Sequence, residues 1–367
     1  MILDELVKFS NYYGSQPELV LAGGGNTSAK QGSELYIKAS GTALATITAE
    51  GFVKMDRTLL AKMFTKKYPE EDDAREAEAL ADLMAARLPG EENKRPSVET
   101  TLHSLFPQTF VLHLHPALVN GLTCGKDGEA IARELFGDDF LWIDICRPGY
   151  ILAKLCYEEI EKYSRRTGKA VSTVILQNHG IFMAADTVEE LNAILCKVMS
   201  ALEQRVKRQP DLSVSCETPV EAEKIACKVG ELYSENSCVI YDGNTEARRF
   251  AQSEKAAAPL MLPFTPDHIV YCKAFPLLIE GAGDLKQEFA EYKKANGYAP
   301  KIVIAKGLGF FAAGQNEKDA KTAQLLFNDA IKVAVYSESF GGPLHMTEEL
   351  VDFIVNWEVE SYRQKQN

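Results

Sequence analysis

The segment HLHP, His113 to Pro116, constrains this chain more than any other, because it lies inside the apolar run TFVLHLHPALV, whose composition favours a β-strand. Side chains two apart on a strand share a face, so His113 and His115 project to one side while Leu112 and Leu114 turn to the other. Two imidazoles placed in this way can grip one metal ion; the plainer alternative is a pair of half-buried strand histidines with backbone partners. His179 shifts the balance toward metal. It lies in VILQNHGIF, where the β-rich run Val171–Leu176 stops at an Asn-His-Gly turn and a glycine frees the backbone to hold the imidazole at a strand end. Three histidines leave coordination positions open, the pattern of a catalytic rather than a structural zinc site.

The 367 residues, 46% hydrophobic and 25% charged, have the composition of a soluble globular chain long enough for two domains. A formal net charge of -12 without a cluster of Lys and Arg argues against nucleic acid, since neutralising phosphates requires grouped cations, and ARRF at Ala247–Phe250 is too short. Eight cysteines scattered without CxxC pairing read as reduced, buried thiols of a cytoplasmic protein. The opening MILDELVKFSNYYG has neither a basic leader nor a long apolar core, and no run of about 18 apolar residues occurs, so neither a secretion signal nor a membrane span is expected.

Leu3–Tyr13 has helical spacing and a stop at Gly14. LVLAGGGNTSAK reads as a strand running into Gly23, Gly24, Gly25 and the polar Asn26, Thr27 and Ser28, and ELYIKASGTALATIT as a second strand ending in Ser40, Gly41 and Thr42. Such glycine and hydroxyl turns can cradle a phosphate, although Gly, Asn and Ser also dominate ordinary hairpin turns. Asp56–Leu88 is helical in pattern, with Ala77, Leu80, Leu83 and Met84 as its buried stripe. RPSVETTLHSLFP carries a helix start, with Ser97 able to cap and Glu99 in the first turn. Glu99 then either complements the helix dipole or, because this helix leads into the histidine strand, faces the metal. His103, one turn on, is expected to pack or support rather than ligate. Arg147 and Tyr150 follow the strand FLWIDI in a Pro-Gly loop, where either can touch a substrate or serve as a surface partner.

Helices over Ile151–Tyr163 and Thr187–Val206 lead to a break at Gln209, Pro210 and Asp211, which sets domains of 1–212 and 213–367. The second reads as a smaller α/β unit: helices near Glu221–Tyr233 and Thr245–Ala257, then PFTPDHIVYC, a short strand, the helix Leu285–Asn296, the strands KIVIAKG and GFFAAG, and two long helices. His268 and His345 are read as structural or surface residues. No internal repeat stands out.

In order, GGGNTSAK, KASGT, RPSVETTLH, HLHP and NHG resemble the class II aldolase and adducin family over the first 210 or so residues. The resemblance runs closest to the aldolase portion of bifunctional rhamnulose-1-phosphate aldolase/alcohol dehydrogenases and continues through PDHIVYCKAFPLLIE, APKIVIAKGLGFFAAG and the tail VNWEVESY; residues for the dehydrogenase half are missing. It implies an α/β/α fold with a mainly antiparallel central sheet, a homotetramer, and zinc held by His113, His115 and His179 with Glu99 as acid/base. Phosphate binding falls by the same resemblance to Asn26, Thr27, Ser40, Gly41, Thr42 and Ser97. Val98 departs from simpler members, which place a second hydroxyl residue there.

The expected activity is a zinc-dependent retro-aldol cleavage of a ketose 1-phosphate such as rhamnulose 1-phosphate, giving dihydroxyacetone phosphate and an aldehyde, with Glu99 moving the proton on carbon. A sugar-phosphate 4-epimerase or decarboxylase can use the same site. A non-catalytic scaffold like adducin has no physical need for three histidines and a glutamate.

Overall fold

The computed structural model describes residues 2–214, 217–234 and 237–356. The end of the VNWEVESY tail lies outside them. The chain falls into two compact units: one runs to Val119 and resumes over Glu129–Arg205, and the other comprises Asn120–Gly128 and the described residues from Val206 to Asn356. The changeover therefore precedes the Gln209–Asp211 break, because the helix Val188–Glu203 already ends at the Gln204 cap.

The first unit is built on the strands β1 (Asn26–Gln31), β2 (Glu34–Lys38), β3 (Phe52–Asp56), β4 (Phe110–Leu114), β5 (Leu141–Ile143), β6 (Thr173–Leu176) and β7 (Gly180–Ala185), in the spatial order β3-β2-β1-β4-β7-β6-β5. Every neighbouring pair is antiparallel except β5 and β6, so the sheet is mixed where the resemblance implied a mainly antiparallel one. The reason is the helix Tyr150–Thr167, which carries the chain from β5 back to the same end of the sheet before β6 starts, a crossover that only a parallel neighbour accepts. That helix buries Leu152, Cys156, Ile160 and Tyr163 with Val174 and Phe182 of the sheet in one core.

Several elements differ from their sequence patterns. Asn26–Gln31 is a central strand, buried over Asn26–Lys30, and the glycines come before it: Leu19–Gly25 is a loop in which Ala22 and Gly25 take positive φ. Pairing with strands on both sides overrides the turn propensity of Asn-Thr-Ser. The long helical pattern from Asp56 is split into Arg57–Met63 and Asp72–Ala85, and the second of these buries Ala79 and Leu83. Arg147 forms an ion pair with Asp72, and the Tyr150 hydroxyl donates to the Met63 carbonyl at 3.1 Å, so both make structural contacts. The described cysteines are free, but Cys196 and Cys227 are exposed rather than buried.

The second unit holds the strands β8 (Cys238–Asp242), β9 (Leu277–Ile279), β10 (Ile302–Ala305) and β11 (Gly309–Gly314) in the order β8-β11-β10-β9. Within PFTPDHIVYC, the helix Pro266–Cys272 has a proline in its first turn and is buried from Asp267 to Cys272, which explains an apolar run without helical periodicity. His268 Nε2 lies 3.1 Å from the buried Asp329 carboxylate, and His345 Nε2 donates to the Pro259 carbonyl at 2.8 Å. No helix among the described residues is long and apolar enough to cross a membrane.

Candidate metal centre

The antiparallel neighbours of β4 bring two distant stretches to its C-terminal end. Asn26, the first residue of β1, pairs with His113; β7 begins at Gly180 beside Leu114, so His179 falls at the same edge. The turn that delivers His179 requires an unusual backbone, with Asn178 at φ 55 and the His179 N–H donating to the Leu176 carbonyl at 3.2 Å. Gly180 has no room for a side chain: a Cβ there would stand 2.5 Å from the Leu114 carbonyl oxygen and 2.7 Å from Cδ2 of His115.

His113 is fully buried, its ring stacked on Phe182 at 3.8 Å between centroids. Its Nδ1 donates to the Ile181 carbonyl at 3.0 Å, which leaves Nε2 as an acceptor facing the site. That atom lies 2.8 Å from Nε2 of His115 and 3.1 Å from Oε1 of Glu99, and Oε1 is 3.4 Å from Nε2 of His179. One ligand atom from each of Glu99, His113, His115 and His179 falls within 4.8 Å of the others. Burial pushes the Glu99 carboxyl up, but His113 and His179 more than offset this and hold it well below the usual carboxylate range. Burial pushes the His113 imidazole down to about 4 against the pull of Glu99. Oε1 of Glu99 and Nε2 of His113 thus converge at 3.1 Å, where a cation, proton or metal, is needed between them.

Glu99 itself sits just before the helix Thr100–Leu105, in the N-cap position, with no side-chain capping bond. Ser97 holds the backbone of that residue: its hydroxyl accepts from the Glu99 N–H at 3.2 Å and from Asn26 Nδ2 at 2.6 Å, and Asn26 Nδ2 also donates to Glu99 Oε2 at 3.2 Å. Asn26, Ser97, Glu99 and the histidines are therefore one connected network. Thr27 is not part of it. Strand alternation turns its side chain to the opposite face, where its hydroxyl meets Ser10 at 2.8 Å, and only its N–H reaches Asn26 Oδ1, at 3.0 Å.

The turn Ser40, Gly41, Thr42 follows β2 and is brought beside Ser97 by the bridge between Ala39 and Pro96. Gly41 takes φ 83, and the Thr42 hydroxyl donates to the Ala39 carbonyl at 2.7 Å. Lys38, which sequence reasoning passed over, ties this turn to the glycine loop, its buried ammonium donating to the Thr42 carbonyl at 2.8 Å and the Gly23 carbonyl at 3.4 Å. Its position directly before Ala39, Ser40 and Gly41 was the available signal. His103 is buried beneath the site, its Nδ1 2.8 Å from the Ser28 hydroxyl, in the supporting place expected of it.

Over 98% of its length the chain is 25% identical to a Bacillus subtilis protein named as the uncharacterized oxidoreductase YuxG, and it spans 58% of that protein. Among solved structures, the N-terminal class II aldolase domain of a Thermoplasma acidophilum protein matches 56% of this chain and 93% of its own at 29% identity and a TM-score of 0.46. A sugar-phosphate aldolase from Thermotoga maritima matches 57% of this chain and 97% of its own at 13% identity and a TM-score of 0.38. The family described as the class II aldolase and adducin N-terminal domain matches residues 4–206, the stretch that supplies Asn26, Ser97, Glu99 and all three clustered histidines, and the chain belongs to that family.

Proposed function

We propose that this chain is a zinc-dependent aldolase that cleaves a ketose 1-phosphate of the rhamnulose 1-phosphate type to dihydroxyacetone phosphate and an aldehyde, working as a homo-oligomer, a tetramer by family resemblance. The observation that carries the metal reading is the convergence of potential ligand atoms: Nε2 of His113, oriented by the Ile181 carbonyl, faces Nε2 of His115 at 2.8 Å and Oε1 of Glu99 at 3.1 Å. A divalent cation satisfies such a set. His113, His115 and His179 would hold it, and imidazole donors with coordination positions left open suit zinc. When bound, the metal supplies Lewis-acid stabilisation to negative charge building on the substrate's oxygens.

The chain's own groups do the rest. Glu99, kept ionised by its neighbours, receives by way of water the proton that the hydroxyl on the departing fragment gives up as it becomes the aldehyde, and returns it to the substrate carbon that carries the electron pair of the broken carbon–carbon bond. Asn26 holds Oε2 of Glu99, which fixes the direction in which Oε1 points. Ser97 accepts from Asn26 and from Glu99 and still has its own O–H to donate to an outside oxygen, so it is the hydroxyl we assign to the substrate phosphate, with the Ser40, Gly41, Thr42 turn beside it. Asn26 spends its donors inside the protein and acts on the phosphate through Ser97.

Incubation with a panel of ketose 1-phosphates, with any released dihydroxyacetone phosphate coupled to its reduction, tests this reading. Release that stops on chelation is the expected result. A sugar phosphate returned with unchanged mass would make the protein an epimerase, and carbon dioxide from an acid substrate a decarboxylase. Inertness of metal-loaded protein across the panel, acids included, would overturn the enzyme reading.

A further inference from the structure

The second unit repeats the part of the first that carries the histidines. The order β4-β7-β6-β5 of the first sheet and the order β8-β11-β10-β9 of the second share the same pattern of directions: antiparallel, antiparallel, then parallel. The registers agree residue by residue. Leu176 pairs with Gly180 across the first turn as Ala305 pairs with Gly309 across the second, and His113 lies opposite Phe182 as Tyr241 lies opposite Phe311.

Local details agree as well. Asn178 and Gly307 both take positive φ, and a Cβ on Gly180 or Gly309 would collide with the carbonyl oxygen of Leu114 or of its counterpart Asp242. The N–H of Gln177 donates to the Ile143 carbonyl as that of Lys306 donates to the Ile279 carbonyl. Each closing helix is capped alike, Thr187 accepting from Glu190 N–H and Asn316 from Asp319 N–H. Chance agreement in topology is common for small sheets; agreement in register, turn conformation, close approach and cap together is not.

On this alignment the ligand positions have changed. Tyr241 stands for His113, Gly243 for His115 and Leu308 for His179. The Tyr241 hydroxyl donates to the Leu308 carbonyl at 2.9 Å and lies 2.2 Å from where a Cβ on Gly243 would be, so the phenol spans all three positions.

We infer that the second unit is a duplicate of the metal-bearing half of the first, in which the Tyr241 phenol fills the place that the metal would take. The inference rests on the reading that His113, His115 and His179 hold a metal. Its test uses the full chain and zinc content after dialysis. His113→Ala with His179→Ala empties the first site; adding Tyr241→His, Gly243→His and Leu308→His should restore about one zinc per chain, since three imidazoles make a complete protein ligand set. Wild type with zinc but a folded five-substitution variant without it overturns the duplication inference alone, whereas wild type without zinc overturns the metal reading and this one with it. Should the five-substitution variant fail to fold, Tyr241→His, Gly243→His and Leu308→His in a chain that keeps His113 and His179 decide: about two zinc per chain is expected. Zinc content remaining at about one per chain in that folded variant would overturn the inference.

Discussion

Nδ1 of His113 lies 3.0 Å from the carbonyl oxygen of Ile181, the residue paired with Leu114 on the adjoining strand, so a sheet carbonyl fixes which imidazole nitrogen faces the site. That hydrogen bond turns Nε2 of His113 toward Glu99, His115 and His179.

Purified protein should carry about one divalent metal per chain, zinc by preference. His113→Ala together with His179→Ala should remove it, as read by elemental analysis after dialysis, because the substitutions delete two of the three imidazoles gathered around Glu99. Unchanged metal content would place the site elsewhere.

Glu99→Gln keeps the shape of the side chain and the approach of Asn26 while removing the charge held between His113 and His179. Turnover should drop by about a hundredfold or more, the scale of an acid/base group, with the circular dichroism spectrum retained. Wild-type turnover in this variant would take Glu99 out of the chemistry.

Asn26→Ala should lower kcat by about tenfold, since Glu99 loses a charge-assisted hydrogen bond worth roughly 1.5–3 kcal/mol, and should also raise KM for phosphorylated substrate because Ser97 loses its donor. Thr42→Val should raise KM alone, as the Thr42 hydroxyl holds the turn through Ala39 and does not reach Glu99. Comparison with an unphosphorylated analogue separates the two: equal losses on both substrates would make the turn structural only.

Lys30 gives a pH-dependent stability. It is buried on β1 with its ammonium 3.0 Å from the Gln108 carbonyl; burial, reinforced by Arg57 and opposed by Asp186, pushes it from 10.5 down to about 7. Below about pH 7 folded and unfolded chains both hold the proton and the burial cost is felt in full. From there toward 10.5 the folded chain has shed the proton while the unfolded one keeps it, so the contribution of Lys30 to stability rises as the pH is raised, by about 1.4 kcal/mol for each pH step of one. Lys30→Met should accordingly be more stable than wild type in urea near neutral pH, by a margin that shrinks as the pH is raised. A margin independent of pH would show that the Lys30 proton is not linked to folding.

Much of the site was legible because its spacing is local. His113 and His115 share a face for the reason any i, i+2 pair on a strand does, and the Gly after His179 announced a turn that a side chain would block. Other parts were misread where neighbours in space override neighbours in sequence. Asn26, Thr27 and Ser28 look like a turn, yet β2 and β4 on either side make them a central strand, and only that assignment reveals that Asn26 faces the site while Thr27 turns to Ser10. The crossover that makes β5 and β6 parallel likewise depends on where the helix Tyr150–Thr167 lands.

The sequence by itself determined which imidazoles and carboxylate could serve as ligands, the helix that follows Glu99 and the family to which residues 4–206 belong, since these rest on residue chemistry and short-range geometry. Only the tertiary structure decided that Glu99 reaches the histidines, that Asn26 and Ser97 join them, and that the second sheet copies part of the first. Register between strands far apart in the chain sets all three. In the copy only the apolar and glycine positions remain, Val174 and Val303, Ile175 and Ile304, Gly180 and Gly309, Phe182 and Phe311, because packing and close approach constrain those residues while a site plugged by Tyr241 no longer constrains its ligands.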